Sequence, residues 1–177
     1  MCRAIDVASY ILQEKGRLTG YQLQKLLYYS QAWCLVTQGR PLFDENILAW
    51  QHGPVVYEVF CEHGGRRSLI ARDLTGDASK LSPEDCAVVD AVLDEYGMLT
   101  GDELEALSHN EAPWASVYDH GSSVSSPVVS HESMLDYYSR IMSSDSGTRA
   151  AHQVPRFTYA PRVYVSDAEL DWLRTLV

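Results

Sequence analysis

The stretch that most constrains the fold is Gly20–Thr37, GYQLQKLLYYSQAWCLVT. It has no proline and no internal glycine, and Gly39 and Pro41 follow it as stop signals. At about 100° per residue, Leu23, Leu26, Leu27, Trp33 and Cys34 share one broad helical face. Tyr28, Ala32, Leu35 and Val36 cover much of the other side. A narrow polar stripe is left to Gln24, Gln31 and Gln38, with Lys25 elsewhere. A helix apolar nearly all round belongs inside a protein, and this one is too short and too rich in glutamine to span a bilayer. It is expected to be the central helix of a core, so the rest of the chain must wrap it.

The neighbouring segments supply the wrapping. Ile5–Lys15 reads as a first helix with Ile5, Ala8, Ile11 and Leu12 inward, closed by Gly16. Ile47–Trp50 is a candidate short strand. Gly53-Pro54 breaks it, and Pro54 suits the first turn of a following helix with Val55, Val56, Val59 and Phe60 on its stripe. Ser82-Pro83-Glu84-Asp85 and Thr100-Gly101-Asp102-Glu103 are helix starts with a cap and early acids. Pro127–Val129 could add a strand beside Ile47–Trp50. Ser130 caps a helix from His131 to Met142, with Met134, Leu135, Tyr138, Ile141 and Met142 inward. The expected fold is mainly α (α+β): a compact helical domain around a buried central helix, with a small β element. Residues 143–154 read as a linker. Beyond it, 162–165 alternates like a strand and Ser166–Glu169 opens a short amphipathic helix. That extension could dock on its own domain or capture a partner. The expected division is therefore 1–142 and 143–177.

Charge and motifs restrict the function classes. A formal charge of −10 argues against a nucleic-acid footprint. Gln22, Gln24 and Lys25 follow a short link, as in a DNA-reading helix, but their helix is too apolar to lie in a groove. Cys2, Cys34, Cys61 and Cys86 form no CxxC pair, and Cys34 and Cys61 are expected to be core thiols. The N-terminus lacks an apolar leader, so a cytoplasmic protein is the default expectation. His109 close to Glu111 invites a catalytic or metal reading. No second histidine stands four residues on, and there is no HExxH. A hydrolase using His109 with Glu111 or Asp119 would need a nucleophile. Ser108 is nearest but lacks the GxSxG frame, and adjacent helical residues do not face each other. His109 and Trp114 are expected to join their helix to the core. No catalytic residue, metal site or cofactor is expected.

Several ordered motifs resemble one family. They are Leu23-Gln24-Lys25-Leu26-Leu27-Tyr28 running on to Trp33, then Gly39-Arg40-Pro41-Leu42-Phe43-Asp44, then Ala49-Trp50, Gly53-Pro54-Val55 and Glu58-Val59-Phe60. A second block has Leu104, Ser108-His109 and Pro113-Trp114. Over about residues 1–142 the chain resembles the SocA-like antitoxins, a domain also called Panacea. Phe60 stands where tyrosine is common. The resemblance implies an antitoxin that binds a cognate protein toxin encoded next door. It also brings in a ClpXP-type protease, because the family includes adaptors for one. The alternatives are the His109 hydrolase and a DNA-binding autoregulator. The tail after Ser143 has no counterpart in the family pattern. Candidate partner-binding residues are Arg66 and Arg67 in an exposed loop, and Tyr159, Tyr164 and Trp172 in the tail, since aromatic and arginine anchors dominate interfaces.

Overall fold

The computed structural model describes residues 2–119 and 126–157. The helices are α1 (Ala4–Lys15), α2 (Gly20–Gln38), α3 (Tyr57–His63), α4 (Pro83–Tyr96), α5 (Gly101–His109), α6 (Ala112–Ala115), α7 (His131–Met142) and α8 (Ser146–Ala151). A two-stranded antiparallel sheet joins β1 (Ile47–Trp50) to β2 (Gly53–Val56), pairing Ile47 with Val56 and Trp50 with Gly53. The fold is mainly α with this small β element, as the patterning predicts. No helix among the described residues is long and apolar enough to cross a membrane.

The central helix is α2. Thr19 and Gln22 form a reciprocal capping box at its start, and Gly39 ends it in the left-handed conformation at φ 66°. Every residue from Leu23 to Thr37 is buried. Helices α1, α3, α4, α5 and α7 and strand β2 all pack on it. Leu23, Leu26, Leu27, Tyr28 and Trp33 are at most 1% exposed, so the inward set is as expected.

The polar stripe is a correction. Gln24, Lys25 and Gln31 are buried as well, because each has a backbone partner. Gln24 Oε1 accepts the Val56 N–H at 2.8 Å, and its Nε2 donates to the Val56 carbonyl at 3.3 Å. Gln31 Oε1 accepts from Leu42 and Phe43 N–H at 2.8 and 3.2 Å. Its Nε2 donates to the Phe43 carbonyl at 3.0 Å and lies 2.8 Å from His131 Nε2. With the amide oxygen occupied by two N–H donors, the nitrogen faces His131, which accepts at Nε2.

Those bonds explain a second correction. Pro54 lies inside β2, not in a helix, and α3 begins only at Tyr57. Gln24 acts as a surrogate strand on the outer side of β2 and holds Val56 extended. Pro54 has no N–H to donate, which suits an edge strand. On the other side of β1, Ala49 N–H donates to the Pro127 carbonyl and Val129 N–H to the Ile47 carbonyl, both at 2.8 Å. The strand expected at 127–129 is thus a single bridge, Leu48 to Val128.

Two further expectations change. The segment read as a linker contains α8, capped by Asp145, whose carboxylate accepts from Gly147 and Thr148 N–H. After α8 the chain returns to the core, where Phe157 lies 5.8 Å from Trp33 between ring centres. Cys34 is buried, but Cys61 is exposed, because in α3 it stands about 200° round the helix from Val59, which faces inward. Tyr159, Tyr164, Trp172 and the strand and helix expected around them lie outside the described residues.

Replacing Gln31 with leucine leaves the Leu42 and Phe43 N–H groups buried without an acceptor. A loss of about 2–4 kcal/mol in urea unfolding is expected. Gln13→Leu, on the exposed side of α1, should change stability by no more than about 0.5 kcal/mol.

Candidate functional site

Two polar constellations stand out, one sealed and one open. The sealed one surrounds Glu111, which is 3% exposed at the start of α6. Its Oε2 accepts from Tyr138 at 2.7 Å and from Tyr29 at 3.2 Å. The Tyr28 and Tyr138 hydroxyls are 3.2 Å apart, and Tyr29 stacks on Tyr96 at 4.3 Å. Trp33 Nε1–H donates to the Tyr96 hydroxyl at 3.2 Å. Burial pushes Glu111 up to about 8, against the pull of its two tyrosine hydrogen bonds. Burial also holds all four tyrosines well above their usual range. Tyr28, Tyr29, Tyr96 and Tyr138 are at most 1% exposed, so the cluster ties α2, α4, α6 and α7 together out of reach of any substrate.

The elements proposed for hydrolysis are directed elsewhere. Ser108 Oγ donates to the Glu105 carbonyl at 3.0 Å. The His109 ring lies flat on Trp114 at 3.9 Å and 11°. Trp114 Nε1–H donates to the Trp50 carbonyl at 3.1 Å, which joins α6 to the hairpin, with the His109 ring stacked on Trp114 from α5. Glu111 faces the tyrosines.

The open constellation is a groove of about 850 Å³. Its walls are the N-terminal turns of α2, the β1–β2 turn with Trp50 and His52, the end of α3 with Phe60 and His63, and the loop carrying Arg66 and Arg67. Trp50 packs edge-on against Phe60 at 4.9 Å, and Tyr21 against His52 at 5.6 Å. His52 Nδ1 is 3.1 Å from Glu105 Oε1. Arg66 and Arg67 are exposed, and Arg66 pairs with Asp73 at 3.4 Å. Burial lowers the pKa of His63.

Lys25 is 0% exposed and borders the groove from within. Its Nζ donates to the Pro54 carbonyl at 3.4 Å. Burial brings its pKa down to about 8, with Glu105 pulling the other way. The Lys25 stem runs past Gly53, which has φ +93°; a Cβ there would stand 2.5 Å from Lys25 Cε and 2.9 Å from Nζ. The Gly53-Pro54 pair is therefore shaped by Lys25. Glycine supplies the positive φ and the space, and proline supplies the carbonyl.

Comparison with known proteins assigns the family. The profile described as "Antitoxin SocA-like, Panacea domain" matches residues 23–115, more than half the chain, from α2 through α6. The chain belongs to the SocA-like antitoxin family. It is 31% identical over 124 residues to the protein named Antitoxin SocA from Caulobacter vibrioides (strain NA1000 / CB15N), covering 61% of this chain. The match spans 66% of the length of that relative. No solved structure matches. Within the family segment, the motif residues Leu23, Leu26, Leu27, Tyr28 and Trp33 are core, while Lys25, Trp50, Gly53 and Pro54 shape the groove.

Sequence reasoning named Gln24, Gln31 and Glu111 but not their buried bonding roles, and it did not find His63. A signal existed for the glutamines: two polar residues seven apart on a helix with no solvent side must meet buried partners. Glu111 and His63 carried no such signal, because their neighbours come from distant segments.

Gly53→Ala is expected to cost about 2 kcal/mol or more. In a Lys25→Ala background the added cost should fall by about half, because the Lys25 stem is gone; a thermal-melt double-mutant cycle reads this coupling. Burial raises the folded pKa of Glu111 above its ordinary value to about 8. Its favourable contribution is complete below the unfolded pKa and is lost as pH rises through the folded one. Glu111→Gln should therefore gain on the wild type by about 1 kcal/mol or more between pH 5 and pH 8 in urea unfolding. Parallel stability profiles would contradict the assignment.

Proposed function

We propose that this protein is an antitoxin that neutralises a cognate protein toxin, encoded beside it, by direct binding in the cytoplasm. The observation that carries the reading is membership of the SocA-like antitoxin family through a match covering α2 to α6. The 31% identity to a protein named Antitoxin SocA points the same way. The geometry is compatible with a binding role. Gln24, Gln31, Lys25 and Glu111 bond to backbone or to tyrosines inside the core, and the open groove is walled by aromatic rings and arginines, the side chains that anchor interfaces.

In this reading Arg66 and Arg67 at the groove rim contact the toxin, with Tyr159, Tyr164 and Trp172 of the tail. Residues 1–142 form the family domain and 143–177 an added partner-facing extension. Neutralisation proceeds by occlusion or by handing the toxin to a ClpXP-type protease. Occlusion needs only a complementary surface. Delivery needs the toxin and the protease to be held at once.

Co-expression with the neighbouring gene product tests the reading. Wild-type protein should restore growth and co-purify with the toxin, and Trp172→Ala should weaken neutralisation at equal protein level. A toxin level that falls only when both the antitoxin and the protease are present would identify delivery. Growth arrest that persists without co-purification would contradict the antitoxin assignment.

A further inference from the structure

We propose that the groove beside the N-terminus of α2 is a carboxylate-recognition site that receives an acidic segment of a protein partner. The partner's class rests on the antitoxin reading; the carboxylate chemistry rests on the groove alone.

The first observation is His63. The residue is 3% exposed, yet neither Nδ1 nor Nε2 has a hydrogen-bond partner. Leaving a buried imidazole unsatisfied is costly. The ring borders the groove and lies against Gly20, the first residue of α2; Cε1 and Nε2 are 3.3 and 3.7 Å from where a Gly20 Cβ would stand. The second observation is Trp50, whose Nε1–H is likewise buried without a partner in the same wall. Indole N–H can only donate, and imidazole has an N–H in either tautomer, so both seek an acceptor.

The third observation is electrostatic. The first turn of α2 contains no acidic residue, and although Thr19 caps the Gln22 N–H, the positive end of the helix dipole favours an anion there. Arg66, Arg67 and Lys25 also line the groove. Among the described residues, none of the lining is Asp or Glu, although the chain carries a formal charge of −10. Arg66 and His52 of the lining pair with Asp73 and Glu105, which are not part of it. An ionised carboxylate offers two oxygens and about four acceptor sites, which matches this set of donors.

Size and wall chemistry select a peptide. A groove of about 850 Å³ exceeds one carboxylate several-fold. Tyr21, Trp50 and Phe60 give it apolar walls suited to side chains flanking the acid. The occupant is thus an acidic stretch with an apolar or aromatic neighbour.

The test uses the full chain and a short fluorescein-labelled peptide alternating aspartate and tryptophan, with its asparagine counterpart as control, at low ionic strength. The aspartate peptide should bind saturably and about tenfold tighter than the control. His63→Phe and, independently, the surface pair Arg66→Gln/Arg67→Gln should each abolish that preference. Equal binding of the two peptides, an undiminished preference in the surface pair, or displacement of the acidic peptide by equimolar ADP would overturn the proposal. In co-expression, rescue by wild type and equally by both variants overturns the groove as the partner site and leaves the antitoxin reading standing. Failure of the wild type to rescue overturns the antitoxin reading, while acid-selective peptide binding still supports the carboxylate site.

Discussion

A helix enclosed on every side cannot leave its polar side chains to solvent, and α2 resolves this by bonding them to the backbone of the segments around it. Gln24 takes both polar groups of Val56. Gln31 takes the N–H groups of Leu42 and Phe43 and the Phe43 carbonyl. Lys25 reaches the Pro54 carbonyl. Non-helical backbone packed on a buried helix would otherwise be left unsatisfied. The side chains of α2 therefore do for the hairpin and for the 42–43 turn what a third strand would do in a larger sheet. The same helix carries Tyr28, Tyr29 and Trp33 into the aromatic cluster around Glu111, which fastens α4, α6 and α7.

This arrangement links scaffold to surface. Gln24 and Lys25 fix β2 and the Gly53-Pro54 turn, and that turn sets Trp50 and His52 on one wall of the groove. α3 follows directly from β2, so its end places His63 opposite the first residue of α2. The loop beyond it carries Arg66 and Arg67. Family motif residues thus act mainly by positioning. They hold the walls of the groove whose rim carries Arg66 and Arg67.

Much of this was readable from local signals. The near-complete apolar circumference of Gly20–Thr37 placed α2 at the centre, and the capping patterns at Ser82 and Thr100 placed α4 and α5 within a residue or two. The misses share one physical cause. Pro54 looked like a helix start because local preference favours it there, but Gln24, thirty residues away in sequence, holds its neighbourhood extended. Gln24 and Gln31 stood out only as a polar stripe, with Lys25 elsewhere, because their partners are backbone groups, which no side-chain pattern announces. The short α8 has almost no apolar residues and owes its position to the Asp145 cap. His63 and Trp50 gained meaning only once α3, the hairpin and α2 were brought together.

Native-state hydrogen exchange tests the central role of α2 most directly. The account predicts that the Leu42, Phe43 and Val56 amides, none of which lies in a helix, exchange only through opening events close in free energy to global unfolding. Replacing Gln31 should release Leu42 and Phe43 while Val56 stays protected, and replacing Gln24 should do the reverse. Exchange of these three amides at the rate of exposed loop residues in the wild-type protein would contradict it.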